Sequence, residues 1–152
     1  SDIVHQAVAL VWLYALFAFL SNLLREQIKD LEDFQGDAAC GCNTLAVLKG
    51  PRFAKKPAGL TGLLLTVFIG FLLVFWYQTA APDWQVGAGI LLLFVPALAT
   101  TLILYWAKGK PDFTRASILV KIVMFSGVFL LLRTWPEDIV GAAQAYLTAF
   151  QK

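Results

Sequence analysis

The sequence predicts an all-α membrane protein built on four transmembrane helices. Hydrophobic residues fill 59% of the 152 positions and charged residues only 14%, whereas a soluble domain carries about a quarter charged residues. The apolar residues also gather into four stretches close to the ~20 residues that a helix needs to cross a hydrocarbon core about 30 Å thick. Each stretch is read as a helix because a helix satisfies its own backbone groups in lipid. The formal net charge is +2 and no block of Lys and Arg alternates with aromatics, so a nucleic-acid partner is excluded.

In chain order the predicted spans cover about residues 3–24, 58–77, 86–107 and 116–133. The loop between the first two carries Lys49, Arg52, Lys55 and Lys56, and the loop between the last two carries Lys108, Lys110 and Arg115. The intervening turn, Ala80 to Asp83, has no basic residue. By the positive-inside rule both basic loops face the cytoplasm of a multi-pass inner-membrane protein. Trp76, Tyr77, Trp84 and Trp135 then mark the outer interface, and Tyr105 and Trp106 the inner one.

Within the spans, Pro96 predicts a kink, and the four-residue repeat of Gly62, Thr66 and Gly70 predicts close helix packing. Lys121 lies inside the fourth span, either reaching back to the cytoplasmic interface or serving a polar cavity. His5 is read as interfacial. Beyond Pro136, the spacing of Ile139, Val140, Ala143, Tyr146, Leu147 and Phe150 predicts an amphipathic helix over 137–151 resting on the outer surface. Cys40 and Cys42 are one residue apart in a polar loop, a poor disulfide geometry, and are read as free thiols on a reducing face. The chain opens at Ser1 with no basic leader, so its first apolar run is not read as a signal peptide and a longer polypeptide is expected.

Directly after the first apolar run comes "REQIKDLEDFQGD", Arg25 to Asp37. On a continuing helix Asn22, Glu26, Lys29, Asp33 and Asp37 fall within an arc of about 80°. Asp33 and Asp37, one turn apart, repel by a few tenths of a kcal/mol unless a cation lies between them. Carboxylates suit Mg2+, a hard ion that shares its shell with substrate phosphate oxygens. Arg25 and Lys29 supply positive charge where such a phosphate would lie. A solvated helix end that meets lipid headgroups is the competing account. Against it stands the density of acidic groups at a cytoplasmic edge, where anionic lipid disfavours them.

The run "NLLREQIKDLEDFQGDAACGCNTLAVLKG", Asn22 to Gly50, resembles the second aspartate-rich motif of the UbiA family of intramembrane prenyltransferases, including its trailing Gly-x-x-Thr-Leu segment. Asp30, Asp33 and Asp37 also have the D-x-x-D-x-x-x-D spacing of that family's first motif. The arginine and proline signature found after the first motif is absent, however, while Gly41, Thr44 and Leu45 match the segment that trails the second. The resemblance implies that residues 1–152 are the C-terminal portion of a nine-helix bundle, with 25–56 a cytoplasmic aspartate-rich helix and loop. It implies Mg2+-dependent transfer of a polyprenyl group from an allylic diphosphate, such as geranylgeranyl diphosphate, to an acceptor in the membrane.

Carried over by position, the resemblance makes Asp33 and Asp37 the catalytic metal ligands and gives Asn22, Arg25, Lys29 and Asp30 to the diphosphate. Ala38 and Asn43 stand where the family usually has basic residues. The first motif, N-D-x-x-D, has no counterpart here, so a missing N-terminal half is expected to supply it, and the fragment alone is expected to be inactive. The Arg25-Glu26, Glu32-Asp33 and Gly36-Asp37 pairs most resemble the branch that alkylates geranylgeranylglyceryl phosphate, with quinone-type aromatic acceptors close behind. Trp12, Tyr14, Phe17 and Phe19 are expected either to pack or to line a prenyl tunnel. A four-span non-catalytic binding or scaffold subunit is the alternative from another class. A CDP-alcohol type of transferase would need a D-G-x-x-A-R opening, which is absent.

Overall fold

The computed structural model describes residues 2–79 and 84–134, and these are helical with no strand among them. The first helix, α1, spans Asp2–Glu32, and two short helices follow, α2 (Phe34–Ala39) and α3 (Leu45–Lys49). Next come α4 (Pro51–Thr79), α5 (Trp84–Gly89), a π turn (Ile90–Phe94), α6 (Val95–Trp106) and α7 (Lys110–Thr134). Among the described residues four stretches are long and apolar enough to cross a membrane: Val8–Glu32, Pro51–Phe75, Gly87–Trp106 and Lys110–Leu130. The predicted amphipathic helix over 137–151, the 80–83 turn and Trp135 lie outside the described residues.

The helices run past the apolar stretches that announce them. α4 starts at Pro51, seven residues before the predicted 58–77 span. Proline suits the first helical position, where its missing N–H has no intrahelical partner to lose. Gly50, at φ +85°, provides the break that separates α3 from α4. α7 likewise begins at Lys110 rather than near 116, and the carboxylate of Asp112 accepts from the Lys108 N–H at 3.0 Å to satisfy a donor at that end.

α1 packs against α4 and α7, and α6 packs against the same two, which closes a four-helix group. Leu24 and Ile28 of α1, Leu65 of α4, Leu104 of α6, and Val120 and Val123 of α7 form its buried centre. α1 and α7 run antiparallel. Thr114, at the start of α7, bonds Glu32 at the end of α1, while Phe17, higher on α1, meets the backbone of Gly127 so closely that no Cβ fits there.

The small-residue repeat on α4 faces α6. A Cβ on Gly62 would lie 2.9 Å from Thr101 Oγ1, and one on Gly70 would lie 3.2 Å from the Phe94 ring. Between them the hydroxyls of Thr66 and Thr101 are 3.1 Å apart. Small residues here let backbones approach, and a polar pair joins the helices. The bend expected at Pro96 takes the form of the π turn over Ile90–Phe94 just ahead of it. A wider turn relieves the clash between the proline ring and the carbonyl four residues back. At the far end of α6, Lys55 Nζ donates to the carbonyls of Ala107 at 2.7 Å and Tyr105 at 3.3 Å. A lysine read from sequence as a topology signal therefore also caps a helix whose last carbonyls lack partners.

Candidate functional site at the acidic end of α1

α1 does not stop where the apolar residues do. Its regular pattern reaches Glu32, and a bend at Asp33 (φ −91°, ψ 2°) leads into α2. The bend keeps helical hydrogen bonding: the Asp33 N–H donates to Lys29 O at 2.9 Å, and the Asp37 N–H donates to Asp33 O at 2.9 Å. Asp33 and Asp37 therefore remain one turn apart on one side. Asp33 occupies the N-cap position of α2, yet its side chain makes no capping hydrogen bond, so the carboxylate is not committed to the backbone.

Burial divides α1 lengthwise. Ser21, Leu24, Ile28 and Leu31 are buried against the other helices. Asn22, Glu26 and Lys29 are exposed, and Asp30, Asp33 and Asp37 are half-buried. At the helical repeat the carboxylate face lies opposite the packed one. It is turned away from α4 and α7.

The structure brings Asp30, Asp33, Asp37, Glu26 and Lys29 together. Asp30 lies within electrostatic range of the other three carboxylates and of the Lys29 ammonium. Arg25 forms an ion pair with Glu26 at 2.8 Å, with side chains 39% and 58% exposed. Such an exposed pair contributes under about 1 kcal/mol, so the guanidinium can exchange it for a stronger anion. Asn22 sits two turns before Lys29 on the same face and takes no part in the carboxylate cluster.

Glu32 differs from its acidic neighbours. Its Oε1 accepts a hydrogen bond of 2.7 Å from the Thr114 hydroxyl, a contact with no local signal in the sequence. The four aromatics of α1 also separate: Phe17 is buried and Tyr14 half-buried, their rings 5.8 Å apart, while Trp12 and Phe19 are exposed. By helical spacing Trp12 and Phe19 share the face that carries Asp33 and Asp37. Three buried polar atoms have no hydrogen-bond partner among the described residues: Tyr14 OH, Gln27 Oε1 and Thr44 Oγ1. Cys40 and Cys42 are exposed free thiols.

Among the described residues no group of three or more His, Cys, Asp or Glu side chains is arranged to hold a metal ion. Two carboxylates one turn apart, uncommitted to the backbone, nevertheless fit as part of a hard-cation shell that other oxygen donors complete.

The chain is 37% identical over 126 residues to the digeranylgeranylglyceryl phosphate synthase of Methanopyrus kandleri, a match that takes in 80% of this chain and 42% of that protein. It is 35% identical over 132 residues to the synthase of the same name from Thermococcus kodakarensis, covering 82% and 43% of the two chains. The chain is a relative of the C-terminal part of UbiA-family prenyltransferases. The synthase of Pyrococcus furiosus matches at 31% over 130 residues, again 82% of this chain and 42% of that protein. The chain thus spans about two-fifths of the length of the curated relatives it matches. No protein-family model and no solved structure matches it.

Proposed function

We propose that this chain is the C-terminal part of a membrane prenyltransferase that moves a polyprenyl group from an allylic diphosphate to a glycerophosphate lipid. The observation that carries the reading is the half-buried Asp33–Asp37 pair, held one turn apart where the bend after α1 leads into α2. A scaffold role would give that geometry no task. The names of the relatives favour a glycerophosphate acceptor over an aromatic quinone precursor.

In this reading Asp33 and Asp37 would hold Mg2+ together with the family's first aspartate-rich motif, supplied by the N-terminal part of the full-length protein. Held there, Mg2+ would supply positive charge to offset the charge on the departing diphosphate. Lys29, and Arg25 one turn before it, bind phosphate oxygens and favour the state in which negative charge grows. Asp30, a carboxylate, acts only through the cation, while Asn22, about 16 Å from Asp33 at the helical rise, lies too far along α1 to reach the same group. As the C–O bond breaks its electron pair leaves with the diphosphate, and the acceptor hydroxyl captures the allylic cation and releases its proton. Trp12 and Phe19 offer an apolar wall for the isoprenoid above the carboxylates and keep water from the cation. In this reading the carboxylate end faces the cytoplasm, an orientation that the basic residues of its loops support.

The test is prenyl transfer by the full-length protein carrying Asp33→Asn or Asp37→Asn. Turnover should collapse, and a rate near wild type in both variants would end the assignment.

A further inference from the structure

The elbow where α3 meets α4 carries positive charge that the proposed prenyl transfer does not use. From Ala38 to Pro82 the chain has no Asp or Glu, and within that run stand Lys49, Arg52, Lys55 and Lys56. Lys55 is committed, since its ammonium caps α6 at the carbonyls of Ala107 and Tyr105. Lys49, Arg52 and Lys56 are exposed, and among the described residues none of the three forms an ion pair. Like charges set this close repel one another unless anions gather beside them.

The packing of α4 decides which way these charges face. Ala54, Ala58, Leu65 and Ile69 are buried against the other helices, while Leu60, Leu64, Val67 and Phe71 are exposed. At the helical repeat Phe53 and Lys56 fall within about 40° of Leu60, so they continue the exposed stripe beyond its apolar end. Arg52 flanks the stripe, about 80° from Leu60. Gly50 breaks the helix, yet Lys49 returns to the same face, its Nζ 5.0 Å from the centroid of the Phe53 ring. Phe53 and Leu48 are themselves exposed.

On a helix that crosses a bilayer, an exposed apolar stripe faces hydrocarbon, and its continuation faces the headgroups of that leaflet. Lys56 lies one turn, about 6 Å, before Leu60, which places its ammonium at headgroup level. A free phosphate or an acidic protein would use the three charges but give Leu48 and Phe53 no task. A lipid surface takes both, the cations at its phosphates and the apolar side chains beneath them.

We propose that the α3–α4 elbow is a binding surface for anionic phospholipid, with Lys49, Arg52 and Lys56 on the phosphates and Leu48 and Phe53 among the upper acyl carbons. Basic clusters beside a span attract anionic lipid in this way. α3 also packs on α2, the short helix that carries Asp37. Lipid held at the elbow therefore steadies the segment on which that carboxylate stands.

The experiment uses the full-length protein in neutral detergent, and native mass spectrometry follows the binding of phosphatidylglycerol and of phosphatidylcholine. The wild type should bind phosphatidylglycerol in preference and unfold at a higher temperature when it is present. Neutralising Lys49, Arg52 or Lys56 to Gln should weaken phosphatidylglycerol binding by about fivefold each, the change expected from one basic residue at a membrane surface. The combined Lys49→Gln, Arg52→Gln and Lys56→Gln variant should lose the preference and the thermal shift. Removing the same charge with Lys108→Gln, Lys110→Gln and Arg115→Gln should retain both. Glycerol phosphate, which has the anion without the tails, should not compete.

A wild type that does not distinguish the two lipids overturns the proposal, and a glutamate-rich peptide that binds the elbow instead would give the surface to an acidic protein. Equal losses from the two sets of substitutions would overturn it as an effect of net charge, and competition by glycerol phosphate would replace it with a site for free phosphate. If the combined variant does not fold, Arg52→Gln and Lys56→Gln are titrated singly by the same criterion. Prenyl transfer takes no part in these readings, so its absence would refute the enzymatic reading and leave the lipid surface standing.

Discussion

The hydroxyl of Thr114 donates to Glu32 Oε1 at 2.7 Å, joining residues 82 positions apart in the chain. The bond fastens the last turn of α1 to the first turn of α7, one residue before the bend at Asp33. A carboxylate that looks like part of the acidic cluster is thereby assigned to holding the cluster in place.

Thr114→Val should remove this hydrogen bond and leave a part-buried carboxylate without its donor, a loss of about 1–3 kcal/mol. Thr114→Ser should retain most of the stability. Thermal unfolding of the two variants in detergent checks both expectations; equal midpoints for valine and wild type would show that Glu32 is satisfied by water instead.

Asp33→Asn and Asp37→Asn should leave unfolding unchanged, because neither side chain caps α2, yet lower turnover by about 100-fold or more, the scale seen when a transition-state charge loses its partner. Chelation of divalent ions should abolish transfer by the wild type and added Mg2+ should restore it. Activity that survives chelation would refute metal assistance.

Gly127→Ala places a methyl group against the Phe17 ring, where no Cβ fits, and should destabilise by about 1–3 kcal/mol through overpacking. Phe17→Ala combined with Gly127→Ala should be less unstable than the sum of the two single changes, as expected for residues in contact. Additive losses in a double-mutant cycle would mean that α1 and α7 do not meet there.

The isolated 152-residue chain should show no prenyl transfer, since Asp33 and Asp37 supply one side only of the proposed ion shell. Supplying the N-terminal part of the full-length protein in trans should restore turnover. Transfer by the isolated chain would contradict a divided metal site.

The four spans were legible because lipid demands long apolar runs, and the acidic face was legible because Asn22, Glu26, Lys29, Asp33 and Asp37 recur at a helical period. The helix ends were not. α4 begins at Pro51 because proline is acceptable at a first turn, and α1 continues to Glu32 because polar residues are as helical as apolar ones once they leave the membrane core. Pro96 announced a bend, but not that the preceding turn would widen at Ile90–Phe94. The Glu32–Thr114 and Lys55–Ala107 bonds depend on how helices distant in sequence are set side by side, and no local pattern encodes that. Both residues looked like ordinary members of their charged neighbourhoods.

The π turn ahead of Pro96 has a bearing on how related chains are compared. Such a turn accommodates one residue more than a regular helix of the same rise. The segments on either side keep their own faces toward α4 and α7 whether or not that extra residue is present. A homologue one position shorter between residues 90 and 94 would still superimpose before and after this point, and a single-residue gap in an alignment belongs there rather than in the neighbouring loops.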